Sequence, residues 1–234
     1  MADTAQLIEV LKNRSFFYRT LSSLYLNTLT QEQIDSLAQA DFSAFGADEP
    51  LLIAGFDDMR RYLRKRNTGT RQELAVDFTS TFVGAQAYEG RSAVPYESVF
   101  RSESGLLMQE PRNEVYRTYK QAAIKLREGV DLPEDHISFE FEFLAILCDR
   151  TVEALDARDQ GRAIGLLKAQ ATFIEDHILS WFDALADLAN KMLTTRFYRG
   201  VLKITKGYLN VDMEAIQDLI AELEGTGPAE EGVA

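Results

Sequence analysis

The chain of 234 residues carries 37 acidic against 25 basic side chains, a formal net charge of −12, which argues against a phosphate-binding surface and so against nucleic acid as a ligand. Hydrophobic residues make up 46% and aromatics 10%, enough for a full core and incompatible with intrinsic disorder. The single cysteine, Cys148, lies in an apolar run, which excludes a disulfide framework and fits a reducing compartment.

In chain order, the opening MADTAQLIEVLKNRS has no cationic segment followed by an apolar one and no small-residue cleavage site, so no export signal is read. No apolar run approaches the roughly 20 residues that span a bilayer, so no transmembrane segment is expected and the location read is the cytoplasm. Leu7, Val10, Leu11, Phe17, Tyr18, Leu21, Leu24 and Tyr25 recur at three- and four-residue spacing, the stripe of a long helix. Leu52, Phe56, Met59 and Leu63 mark another, with the basic cluster MRRYLRKR (59–66) read as its solvated end, where cations suit the helix dipole. Leu74, Phe78 and Phe82 mark a third, and Val115, Tyr119, Ala122 and Leu126 a fourth. Between these last two, residues 84–112 form a long loop carrying Gly84, Gly90, Pro95 and Gly105. Loops of that length are uncommon and often functional.

EGVDLPED (128–135) is a second break, read as a hinge. After it, Ile137, Phe141, Leu144, Cys148, Val152 and Leu155 form one apolar face and Phe139, Phe143 and Ile146 another, as in a helix at the centre of a bundle. A long helix is expected from about Gln160 to Met192, then two shorter ones near 194–206 and 212–224, then a loose tail at 225–234. No segment alternates with a two-residue period between hairpin turns, and no internal repeat is visible. The fold class is all-α: a helical bundle in two parts, 1–128 and 136–224, joined at 129–135.

The segment LPEDHISFEFEFL (132–144) sets Asp135 beside His136 at the start of the central helix. Asp131 with Glu134 three residues on has capping-box spacing, with Pro133 tolerated in a first turn, but this leaves Asp135 and His136 without a role. A metal-dependent enzyme would use His136, Glu140 and His177, a two-histidine, one-carboxylate set. His177 stands four residues from both Phe173 and Trp181, the spacing of a histidine packed on aromatics. No Gly-x-Ser-x-Gly elbow and no phosphate-cradling glycine loop occurs, so no catalytic residue, nucleotide or other cofactor is expected.

LPEDHISFEFEFL resembles the Pro-x-Asp-His-x-x-x-Glu-Leu-x-Phe signature of the TorD/DmsD family of cytoplasmic chaperones, which serve molybdenum-containing oxidoreductases. FTSTFVG (78–84), PYESVF (95–100), LLM (106–108) and FIEDHILSWF (173–182) are similar to further family segments in the same order. Leu132 replaces a frequent family Glu, and Phe141 a Leu. The resemblance implies a non-enzymatic chaperone, monomer or dimer, that binds the twin-arginine signal peptide and apoprotein of a molybdenum-cofactor oxidoreductase. Such a receptor needs carboxylates for guanidinium groups and an apolar groove. Glu97 and Asp135 are the expected acids, Phe78, Phe82, Tyr96 and Leu106 the groove residues, with Pro133 and His136 beside them. A helical scaffold without peptide binding is the remaining alternative.

Overall fold

The computed structural model describes residues 4–40 and 48–225; the tail expected at 225–234 lies, beyond Gly225, outside the described residues. The first stripe becomes α1 (Thr4–Leu26), which buries Leu7, Leu11, Phe17, Tyr18, Leu21, Leu24 and Tyr25, while Val10 stays exposed. α2 (Gln31–Gln39) opens with a capping box in which Thr30 and Gln33 exchange side-chain to backbone bonds. α3 (Pro50–Leu63) ends in the basic cluster, with Arg60 and Arg61 in its last turn, and α4 (Thr70–Phe82) follows.

The segment expected to be loop from 84 to 112 contains a short helix, α5 (Glu97–Arg101), and gives way at Glu110 to α6 (Glu110–Gln121). α6 stops well before Leu126, because Ala122 caps it and Ala123 turns into the left-handed region at φ 52°. α7 (Ile137–Asp156) is the expected central helix, with Phe141, Phe143 and Cys148 buried on its different sides. The long helix expected to reach Met192 is broken: α8 (Gln160–Phe173) runs into a π-helical turn at Ile174–Leu179, and α9 (Phe182–Met192) restarts beyond Trp181. The two helices expected after 194 are one, α10 (Arg196–Leu223). Among the described residues there is no strand, and the extended pairings are isolated bridges, Tyr88 with Arg91 and Tyr96 with His136. No helix among them is long and apolar enough to cross a membrane.

Packing joins elements far apart in sequence. α1 lies along α7, and α3 lies along α10, which also meets α8. Gly55 and Gly200 let α3 and α10 cross closely: a Cβ on Gly200 would meet the Gly55 carbonyl oxygen at 2.7 Å. α1 is also tied to α10 through a buried pair, in which Arg14 Nε and Nη2 donate to the Asp212 carboxylate at 2.6 and 2.8 Å. Asp77 on α4 accepts from the backbone N–H groups of Thr194 and Thr195 at 2.8 and 2.9 Å, pinning the turn between α9 and α10.

Candidate functional site

The two motifs PYES and PEDH, some forty residues apart, meet as a clip. Glu97 N donates to Asp135 O at 3.0 Å, and Ile137 N to Pro95 O at 2.9 Å. Asp135 Oδ2 accepts from Ser98 N at 2.8 Å, so this carboxylate holds the first turn of α5. The Tyr96 and His136 rings meet edge-on with centroids 4.8 Å apart. The pair at the start of α7 is therefore a structural joint between two connecting segments. Burial raises the Asp135 carboxyl above the ordinary carboxylate range, opposed by bonding from Ser98 and the Arg112 charge.

The capping role expected of Asp131 falls to His136. Its Nδ1 accepts from Ser138 N at 3.2 Å and lies 2.6 Å from Ser138 Oγ. Asp131 is exposed, five residues before the His136 cap, and Glu134 pairs with Arg112 at 2.6 Å instead of closing a capping box. Burial pushes the His136 imidazole down to about 4, so at neutral pH the ring is uncharged and accepts from the helix terminus. That also removes the mismatch of a cationic histidine at a positive helix end.

Beneath the clip lies an acidic cluster. Glu97, from α5, is wholly buried and has His177 Nδ1 at 3.1 Å from Oε2. Arg101, one turn on, donates to Glu97 Oε1, and the same Nη1 reaches Glu114 Oε2 of α6 at 3.3 Å and the Asp176 carbonyl at 3.2 Å. Glu140, on the first turn of α7, is wholly buried and hydrogen-bonds with the Glu97 side chain. Burial, together with the facing charges of Glu97 and Asp135, pushes its pKa well above the ordinary value. His177 is placed by the π-helical turn, whose extra residue shifts the side chains around it. Phe173 flanks the imidazole at 4.8 Å, whereas Trp181 stacks on Phe100 and donates its indole N–H to the His177 carbonyl.

A few residues beyond Arg101 the chain presents an apolar lip. Leu106 is 61% exposed, with Leu107 and Met108 also exposed, and the lip is bracketed by left-handed backbone at Gly105 and at Met108 (φ 62°). A non-glycine residue held there marks a constrained segment. Leu106 and Leu107 line an open cavity of about 810 Å³ with Val94, Val99, Phe100 and Glu103.

Of the expected peptide-contacting residues, Leu106 is thus at the surface and Pro133 half-buried. Phe78 and Phe82 are core, packed on each other and on Tyr198, with Phe82 also edge-on to Tyr25. Tyr96, Glu97, Asp135 and His136 are buried in the clip. The metal triad His136, Glu140 and His177 is not assembled. Among the described residues, the group with ligand spacing is Glu97, Glu114 and His177. Sequence reasoning missed Arg101, Glu114 and Ser98. The four-residue spacing of Glu97 and Arg101 was the one local signal for the ion pair.

The family model described as nitrate reductase delta subunit matches residues 49–187, more than half the chain. The chain is similar to the chaperone protein TorD of Vibrio cholerae serotype O1 (El Tor Inaba N16961), 27% identical over 216 residues that cover 90% of this chain and 95% of that protein. It is 26% identical to the TorD proteins of Vibrio vulnificus (strain YJ016) and Aliivibrio fischeri, in each case over 87% of this chain and 94% of the relative.

Proposed function

As the chain belongs to the nitrate reductase delta subunit family, that of the TorD/DmsD-like chaperones, we propose that it is a cytoplasmic chaperone for the maturation of a molybdenum-cofactor oxidoreductase. In this reading it binds the twin-arginine signal peptide and the apoprotein, assists cofactor insertion and holds back export until folding is complete. The two-part organisation, 1–128 and 136–224 about 129–135, belongs to the same reading, with the parts interlocked through α1 on α7 and α3 on α10.

The observation that carries the peptide role is the exposed apolar lip Leu106–Met108, whose Leu106 and Leu107 line an open cavity with Val99, Phe100 and Glu103, in the segment that follows Arg101, the partner of the buried Glu97. A twin-arginine peptide offers adjacent guanidinium groups followed by an apolar stretch, and this surface offers their chemical complements. Leu106 contacts the peptide, Glu97 supplies negative charge beneath the guanidinium groups, and Tyr96, Pro133, Asp135 and His136 hold the wall in shape. Phe78 and Phe82 anchor the helix from which the loop departs.

Leu106→Ala tests this directly. Because the side chain is exposed in the free protein, its loss leaves the melting temperature unchanged, while affinity for a client signal peptide by isothermal titration falls about tenfold. Unaltered affinity would remove the lip from the binding surface. The opposite pattern is expected of Phe82→Ala, which costs about 3–5 kcal/mol of stability as an aromatic core truncation.

A further inference from the structure

The corner where the end of α3 meets the start of α10 holds an open cavity of about 690 Å³ lined by Arg61, Tyr62, Arg64, Lys65 and Arg196. All but Tyr62 are cations, in a chain whose formal net charge is −12. The cavity shares no residue with the lip or with the clip.

A solvated helix end accounts for only part of this arrangement. Cations at the last turn of α3 suit the negative end of its dipole, which covers Arg60, Arg61 and Arg64. Arg196 is the first residue of α10, at the positive end of a 28-residue helix, where a cation is unfavourable. The local acids are already committed. Asp57 is shared by Arg60 and Arg61, and Asp58 by Arg196 at 3.3 Å and Lys203 at 2.6 Å. Glu73 accepts from the Tyr62 hydroxyl at 2.8 Å, and the Tyr62 ring lies against Phe197 with centroids 6.1 Å apart, which fixes the aromatic wall. Among the described residues no carboxylate pairs with Arg64 or Lys65. Like charges gathered in one concavity repel each other and focus the field there, so the cavity attracts anions from outside.

The kind of anion follows from what these arginines hold now. Asp57 and Asp58 each bridge two cations, so the guanidinium groups of this corner are already set out to receive carboxylates. The cavity has room for several side chains rather than one small oxyanion. Segments 59–66 and 194–199 contain no glycine, so no glycine turn offers backbone N–H groups to a phosphate. A nucleic acid would carry its phosphates past the corner onto a surface of the opposite preference.

We propose that this corner is a docking site for an acidic segment of a partner protein, whose carboxylates are received by Arg61, Arg64, Lys65 and Arg196. A short segment engages the cations without extending into the negative field of the rest of the molecule. Docking here is independent of signal-peptide binding at the lip.

A fluorescein-labelled hexaglutamate peptide, followed by anisotropy, should bind the unaltered protein at low ionic strength and be released by added salt, while its hexaglutamine counterpart should not bind. Arg64→Gln combined with Lys65→Gln alters exposed side chains without carboxylate partners, so it should leave the melting temperature unchanged and weaken the peptide about tenfold. Lys120→Gln combined with Lys125→Gln makes the same change in net charge outside the corner and should leave the affinity unaltered. No binding of hexaglutamate, or an equal loss in the two double variants, would overturn the site. Inorganic tripolyphosphate serves as the competing anion: it should displace the labelled peptide no better than unlabelled hexaglutamate does, and displacement at far lower concentration would overturn the acidic segment in favour of a phosphate-bearing ligand. The Arg64 and Lys65 double variant should bind a client signal peptide as the unaltered protein does, so failure of the corner and failure of the lip are read in separate titrations.

Discussion

His136 and Glu140 stand four residues apart on the same helical turn, and burial moves their proton equilibria in opposite directions. The imidazole is lowered to about 4, while the carboxyl is raised well above its usual value, with Glu97 and Asp135 adding to the effect of burial. For His136, the unfolded chain takes up a proton near pH 6.5 that the fold excludes until about pH 4. Its contribution is therefore complete above 6.5 and is lost as pH falls through that window, amounting to about 3 kcal/mol. His136→Asn, which retains a capping oxygen, should remove about one proton from the acid slope of stability in urea titrations between pH 7 and 4. For Glu140 the sign reverses: the folded state holds its proton more firmly, so stability declines as pH rises above the ordinary carboxyl range. Glu140→Gln should then be more stable than the unaltered protein at pH 8, with the gain shrinking towards pH 4; a destabilised variant at pH 8 would show that the charge is needed there. The side-by-side Asp135 and His136 were legible as a motif. Their roles were not, because the decisive partner of Asp135, Ser98 N, is 37 residues away.

At the scale of elements, three- and four-residue spacing located the long helices because burial of one face is written into the order of residues. It did not foresee how α9 and α10 begin and end. The π-helical turn at Ile174–Leu179 inserts a residue without disturbing the apolar character of the stretch, so 160–192 reads as continuous. Gly207 invites a break near the middle of α10, since glycine costs a helix about 1 kcal/mol relative to alanine. Its reason for being there is tertiary: a Cβ on it would meet Leu52 N of α3 at 2.7 Å. The same logic separates two other substitutions. At Gly200 an added methyl would press on the Gly55 carbonyl at 2.7 Å and on Met59 N at 3.2 Å, so Gly200→Ala should lose about 1–3 kcal/mol despite its better helix propensity. At Gly165, exposed in α8, a methyl would meet nothing within 4 Å, so Gly165→Ala should gain about 0.5–1 kcal/mol. Thermal melts of the two variants should move in opposite directions. A shift of the same sign in both would sink the close-crossing account of α3 and α10.

For the whole molecule, the question is whether 1–128 and 136–224 unfold separately. Periodicity tells which face of a helix is buried but not what covers it, so the sequence left the two parts looking self-contained. The structure covers α1 largely with α7 and α3 largely with α10, so each part supplies the core of the other. α1 alone buries seven large apolar or aromatic side chains. At about 1.5–3 kcal/mol each, their re-exposure would consume a free energy on the order of the whole stability of a domain. The Arg14–Asp212 pair and the Asp77 bonds to Thr194 and Thr195 add polar ties across the same boundary. A chain ending at residue 128 is therefore expected to be largely unfolded by circular dichroism. In the full chain, the fluorescence of Trp181, the one tryptophan and a member of the second part, should follow the same urea transition as the helical signal of both parts. Two separated midpoints, or a folded 1–128 fragment, would mean that 129–135 joins units able to stand alone, and that α1 and α3 find in themselves the cover assigned here to α7 and α10.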